Sequence, residues 1–152
     1  MTTGITWTCK IMNELTSSEL YTILKLRSEV FVVEQNCVYL DIDGKDMDAY
    51  HLCGWLNNEL LVAYARLLAP GVSYTEASIG RVVTHPSHRQ DGYGKKLMYK
   101  AIENTLTIFN TAAIKIGAQQ YLLKFYSSLG FIVSSDPYIE DGIPHVEMLL
   151  GK

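Results

Sequence analysis

The sequence predicts an α/β domain built on a mixed, mostly antiparallel sheet with helices on both faces. Two observations carry that class. Two β-rich runs, residues 50 to 55 and 60 to 68, flank Asn57-Asn58, a pair that tolerates positive φ and so closes an antiparallel hairpin. A strand at residues 78 to 84 then leads through a helical pattern into a second short strand at residues 113 to 118, an order that sets two strands parallel. At 152 residues the whole chain is the length of one domain, expected to span residues 1 to 152 and to bury roughly two-thirds of its unfolded surface.

The elements follow in order. Residues 5 to 12 (ITWTCKIM) alternate loosely and read as a strand. Thr16-Ser-Ser-Glu19 is a capping box ahead of Leu20, Ile23, Leu24, Leu26 and Val30, so a helix is expected to about Phe31. Residues 32 to 47 carry Asp43-Gly44 and several acids, which reads as a short helical turn and a loop. From Gly94, the positions Leu97, Met98, Ala101, Ile102, Leu106 and Phe109 keep helical spacing. Leu122, Phe125, Tyr126 and Leu129 fall at i, i+3, i+4 and i+7, with Gly130 placed for a left-handed cap. Residues 131 to 133 and 146 to 150 complete the pattern as two strands around an Asp141-Gly142 turn.

Composition narrows the partners. A net charge of -3 provides no general field for nucleic acid or an anionic membrane, so an anion needs a local device. The longest apolar run, residues 60 to 65, is far too short to span a bilayer. Cys9, Cys37 and Cys53 are odd in number and lack CxxC spacing, and no signal-like segment precedes them, which favours a reducing cytoplasm. No histidine or cysteine grouping has the spacing of a metal site; His85 and His88 lack a third ligand.

The local device stands between the strand at 78 to 84 and the next helix. Unpaired N–H groups at a helix N-terminus bind anions, and Gly92 and Gly94 let the main chain come close to a phosphate. Arg89, His88, Lys95, Lys96 and Lys100 make this junction basic within an acidic chain. Spacing alone equally admits two glycines serving a turn and lysines on a solvated face. The loop is neither the dinucleotide fingerprint, for Leu97 occupies the third glycine's place, nor a P-loop.

Pro86-x-x-Arg89-x-x-Gly92-x-Gly94, between strand and helix, resembles the acyl-CoA loop of the GNAT N-acetyltransferase superfamily. Likeness to the ElaA-like branch extends over Arg27-x-x-Val30-Phe31-Val-Val-Glu34-Gln35, Ala118-Gln119, Phe125-Tyr126-x-x-Leu129-Gly130-Phe131 and Glu140-Asp141-Gly142-Ile-Pro144-His145, covering roughly residues 14 to 150. The resemblance implies a GNAT-like fold whose central parallel pair splays apart. It implies acetyl-CoA as cosubstrate, without a metal. The diphosphate would lie on Arg89 and the N–H groups of Gln90, Asp91, Gly92, Tyr93, Gly94 and Lys95, and the pantetheine arm along Val82, Val83 and Thr84. In that role the arm completes an open strand edge. Where the superfamily commonly has glycine after the loop arginine, this chain has Gln90-Asp91, and Asp91 is expected to face solvent.

Acetyl transfer to an amine needs a neutral amine, a stabilised oxyanion and a proton for the thiolate. The resemblance makes Tyr126 the acid, although its place on an apolar helix stripe also suits plain packing. The resemblance likewise implies Val83 N–H as the oxyanion donor. Glu34, His51 and His145 are the candidate bases, with Glu34 and His145 preferred, while His85 and His88 are assigned to capping or phosphate contact. Arg27 is expected to reach residues 41 to 48 and pin a pocket wall, or else to form a surface ion pair. Phe31 and Tyr39 line that pocket or belong to the core. Arg66 and Arg81 read as solubilising strand-end residues. The turn at 140 to 145 is a lid or a hairpin.

The expected activity is thus direct transfer from acetyl-CoA to a small-molecule amine or peptide, with no cysteine nucleophile. The rivals are a non-catalytic acyl-CoA sensor and an acyl-homoserine-lactone-synthase-like acyltransferase. Oligomeric state is not encoded legibly, and a homodimer stays open.

Overall fold

The computed structural model describes residues 4 to 151. Four antiparallel strands, β1 (Ile5–Ile11), β2 (Tyr50–Leu56), β3 (Leu60–Leu68) and β4 (Ser78–Thr84), form one sheet in that spatial order. A second sheet contains β5 (Ala113–Gln119), β6 (Ile132–Val133), β7 (Tyr138–Glu140) and β8 (Ile143–Gly151), with β8 between β5 and β6 and also paired to β7. The two sheets meet at one parallel bridge, Ala77 to Ile114, where Lys115 N–H donates to the Ala77 carbonyl at 2.8 Å. Beyond that bridge β4 and β5 separate, which is the expected splay.

Local signals explain most boundaries. Helix α1 (Ser17–Arg27) starts on the capping box: Thr16 Oγ1 accepts from Glu19 N–H at 3.0 Å and Glu19 Oε1 accepts from Thr16 N–H at 2.8 Å. The expected helical end near Phe31 is moved, because α1 gives way to a wider π-helical stretch, Ser28–Glu34. Asn57 and Asn58 both take positive φ, +54° and +59°, and close the β2–β3 hairpin. Helix α2 (Tyr93–Ile108) follows β4, and helix α3 (Leu123–Ser128) ends before Gly130 at φ +102°. The Asp141-Gly142 turn joins β7 to β8; it does not join residues 131 to 133 to the last strand as expected. Strand β7 escaped prediction because its three residues carry no β-branched run.

Helices cover both faces of the first sheet. Leu97, Met98 and Ala101 of α2 pack on Ala63, Ala65 and Leu67 of β3, while Ile23 and Leu26 of α1 pack with Tyr64 and Leu61. Strand β3 is therefore buried on both sides, and each fully buried Leu or Ile contributes roughly 1.5–3 kcal/mol. This rigid strand carries β4, and β4 carries the site.

Candidate active site

The separation of β4 from β5 opens a cleft of about 910 Å³. Of the residues expected in a site, Glu34, Val82, Val83, Thr84, Arg89, Gly94, Tyr126 and His145 line it. Strand β4 enters it distorted. Its pairing with β3 runs Thr84 to Ala63 and Val83 to Tyr64, then slips to Gly80 opposite Arg66, so one extra residue bulges out near Arg81 and Val82. Arg81 sits there at φ +50°, a conformation that disfavours a side chain. The register also decides which main-chain groups are free. His85 N–H donates to Val62 at 2.8 Å, so alternation turns the N–H of Val83 towards β3 and that of Thr84 towards the cleft. Val83 N–H is thereby removed from the expected oxyanion role.

The bulge is held by ions. Arg81 Nε lies 2.7 Å from Asp41 Oδ1, its Nη2 donates to the Asp41 carbonyl at 3.0 Å, and its guanidinium lies 5.5 Å from the Tyr39 ring centre. Arg27, fully buried, donates to Asp41 at 2.9 Å and to Asp46 at 2.7 Å. Arg66, 3% exposed, donates to Asp43 at 2.8 Å and Asp46 at 3.1 Å. Three arginines and three aspartates thus form one network along a wall of the cleft. One expectation changes, for Arg66 and Arg81 are not solubilising strand ends, while Arg27 reaches the acidic segment as expected and is no surface pair. Their partners lie 14 to 40 residues away in sequence, so only the fold brings the charges together. Burial would raise the Asp46 carboxyl, but hydrogen bonds and charge from Arg27 and Arg66 hold it low.

His51 is sealed behind this network. Its Nδ1 meets the Tyr64 hydroxyl at 2.7 Å and its Nε2 the Asp46 carbonyl at 3.0 Å, and burial lowers its pKa. It does not line the cleft, so the candidate base His51 is structural. His145 differs: Nδ1–H donates to the Ile143 carbonyl at 2.7 Å, which leaves Nε2 as an acceptor. Tyr126 is 7% exposed, edge-on to Phe125 and Phe131, and burial pushes its hydroxyl up to about 12. Glu34, at the end of the π-helical stretch, is engaged by both terminal nitrogens of Arg89, one at 2.7 Å. That hydrogen bond lowers its pKa.

The loop after β4 is a 3-10 turn, Pro86–Asp91, carrying Arg89, Gln90 and Asp91. His85 Nδ1 accepts from Ser87 N–H at 3.1 Å, the capping role expected of it. Asp91 is exposed and 3.0 Å from His88 Nδ1. Gly92 takes φ +77°, and α2 then opens with Tyr93, Gly94 and Lys95 without any side-chain cap on its first N–H groups. A Cβ on Gly94 would meet only Thr84 Cγ2, at 3.9 Å, so packing does not require that glycine. The uncapped donors, the bare Gly94 and the open β4 edge fit an acyl-CoA. Tyr74 and Gly117 also line the cleft, with the Tyr138 hydroxyl closing on Gly117 beside Tyr74, and nothing in their sequence neighbourhoods announced them.

The family comparison agrees with this geometry. Residues 27–151 match the family model described as acetyltransferase (GNAT) domain. Protein ElaA of Escherichia coli strain K12 is 44% identical over 146 residues, covering 95% of each chain, and its crystal structure superposes with TM-score 0.89 over 97% of this chain and 99% of that one. An acyl-CoA N-acyltransferase from Pseudomonas aeruginosa has the same TM-score, 0.89, at 39% identity over 96% of this chain and 99% of that one. The structure of yncA from Salmonella typhimurium with its cofactor acetyl-CoA shares the fold at 16% identity and TM-score 0.71, covering 99% of this chain and 94% of that one. This chain therefore belongs to the GNAT acetyltransferase family, in its ElaA-like branch.

Proposed function

We propose that the chain is an N-acetyltransferase that moves an acetyl group from acetyl-CoA directly to a primary amine, acting as one domain over residues 1 to 152. The observation that carries this reading is the parting of β4 from β5 after a single bridge, with the freed β4 edge leading into the uncapped N-terminus of α2. The solved relative that holds acetyl-CoA supports the choice of acyl donor.

In this reading the thioester supplies an activated acetyl group, and the residues of the chain do the rest. Arg89 and the N–H groups of residues 90 to 95 bind the diphosphate, with Asp91 turned to solvent and held by His88. Thr84 pairs with the pantetheine amides, and the sheared main chain at Arg81 and Val82 stabilises the oxyanion in place of Val83. Tyr126 keeps its proton throughout the neutral range and delivers it to the departing sulfur. His145 Nε2 takes the amine proton. Glu34, with its pKa lowered by Arg89, is the poorer base and occupies that arginine in the absence of the diphosphate. The three free cysteines suit a reducing cytoplasm, and among the described residues no helix is long and apolar enough to cross a membrane.

Release of free thiol from acetyl-CoA across a panel of primary amines tests the proposal. Amine-dependent release with a stoichiometric N-acetyl product is expected. Binding of CoA without release would make the protein a sensor, and an acetyl thioester trapped on a cysteine would replace direct transfer by a covalent route.

A further inference from the structure

We propose that Tyr74 and Tyr138, whose hydroxyls meet over Gly117, are the specificity-determining pair of the acceptor half of the cleft, and that with Glu140 they select an acceptor carrying a second ammonium group. The inference rests on the cleft being a transferase site and goes on to name its substrate class.

Three remote segments make the pair. Tyr74 lies in the connection between β3 and β4, Tyr138 in β7, and Gly117 on β5 where β5 has already left β4. A Cβ built on Gly117 would stand 3.0 Å from each phenol oxygen, tighter than side chains tolerate without displacement. Glycine at this position is therefore what allows both hydroxyls to close on the strand. The Tyr138 ring stacks on His145, with 5.8 Å between centres and the planes 25° apart. The pair thus borders the imidazole whose Nε2 is free. Burial raises both phenols, so they stand over Gly117 as neutral donors and acceptors, Tyr74 in the cleft wall and Tyr138 behind His145.

Charge around them selects the ligand's sign. The guanidinium groups of Arg66 and Arg81 line the cleft but are neutralised by Asp41, Asp43 and Asp46. Lys115 stands 5.8 Å over the Tyr74 ring and is tied to Glu76 and Glu147, at 3.9 and 3.6 Å. Lys45 directs its ammonium to Ser73 Oγ at 2.8 Å. Glu140 lines the same cleft and forms no ion pair among the described residues. Among those residues Asp141 lines it unpaired as well, but Glu140 is the one whose charge acts on both phenols. It therefore holds a cation beside them while the amine to be acetylated reaches His145.

The test compares 1,3-diaminopropane with propylamine at saturating acetyl-CoA. Wild type should favour the diamine at least tenfold in kcat/KM. Glu140→Gln should bring the ratio within twofold, and Gly117→Ala should raise the diamine KM at least fivefold while CoA affinity by calorimetry shows the fold intact. Tyr138→Phe should raise that KM as well. A wild-type ratio near one, or a ratio that survives both Glu140→Gln and Tyr138→Phe, overturns the proposal. Should wild type transfer to no amine, the transferase reading itself fails, and calorimetry of 1,3-diaminopropane on the CoA-loaded protein decides separately: binding weakened by Glu140→Gln supports the pair, and binding absent or unchanged in that variant overturns it.

Discussion

The Arg89 guanidinium and the Glu34 carboxylate lie side by side across the cleft, linking the loop after β4 to the end of the π-helical stretch. Both side chains are about two-fifths exposed, 41% and 45%, so the pair is worth at most about 1 kcal/mol in water. In the proposed binding mode a doubly charged diphosphate at the start of α2 would draw on the same guanidinium. Glu34 therefore competes with the cosubstrate. Glu34→Gln should tighten CoA binding roughly two- to fivefold, since about 1 kcal/mol corresponds to about fivefold, and Arg89→Ala should weaken it. Calorimetry of CoA on the two variants checks this, and looser binding in Glu34→Gln would mean that the carboxylate orders the arginine for its ligand.

The network of Arg27, Arg66 and Arg81 makes folding sensitive to acid. Burial would raise the Asp43 and Asp46 carboxyls, yet hydrogen bonds from Arg66 and Arg27 leave both below their ordinary values. Groups whose folded pKa is depressed stabilise fully above the unfolded value, near 4, and lose that contribution as pH falls through the folded one. Stability should hold from neutrality to about pH 5 and then decline below about pH 4. Arg27→Ala leaves three carboxylates to two guanidiniums, and although Asp41 keeps Arg81 and Asp46 keeps Arg66, the one excess buried charge costs up to about 3–5 kcal/mol. Denaturant melts of that variant at pH 7 should show the loss, and its acid slope should be shallower.

What could be read from the sequence divides along the same line. The capping box at Thr16 and Glu19, the Asn57-Asn58 turn and the Gly130 cap are each set by neighbours within four residues, so their chemistry is visible in a short window. Arg81 is the opposite case. Its partners Asp41 and Asp43 lie 40 and 38 residues earlier, and its positive φ arises from a pairing slip between β3 and β4 that residue types do not announce. Tyr74, Gly117 and Tyr138 escaped for the same reason: each is ordinary where it stands, and only the divergence of β5 from β4 gathers them. The loop from Pro86 to Gly94 was legible because a glycine loop is local; the gathering of Tyr74, Gly117 and Tyr138 was not.

Tyr126 offers a test of chemistry against packing. Its ring contacts Phe125 and Phe131 edge-on, with centres 5.2 and 6.0 Å away, and Tyr126→Phe preserves those contacts while removing the hydroxyl. A general acid is worth about 10²- to 10⁴-fold in rate. The variant should retain its melting temperature and lose turnover by that factor, with CoA affinity little changed. Turnover within twofold of wild type would return Tyr126 to the core alone.

Gly92 and Gly94 should respond oppositely to one added methyl group. Gly92 has open space around it but stands at φ +77°, so Gly92→Ala carries a left-handed penalty of about 1–2 kcal/mol. Gly94 lies in the first turn of α2, where its Cβ would meet Thr84 Cγ2 at an ordinary 3.9 Å. Replacing a helical glycine by alanine stabilises by roughly 0.5–1 kcal/mol. If Gly94 is kept bare for the approach of a diphosphate to the main chain, Gly94→Ala should melt higher than wild type and yet bind CoA at least tenfold more weakly. Thermal melts with and without CoA read both quantities on one sample. A variant that gained stability and kept its affinity would mean the phosphates lie elsewhere than on this turn.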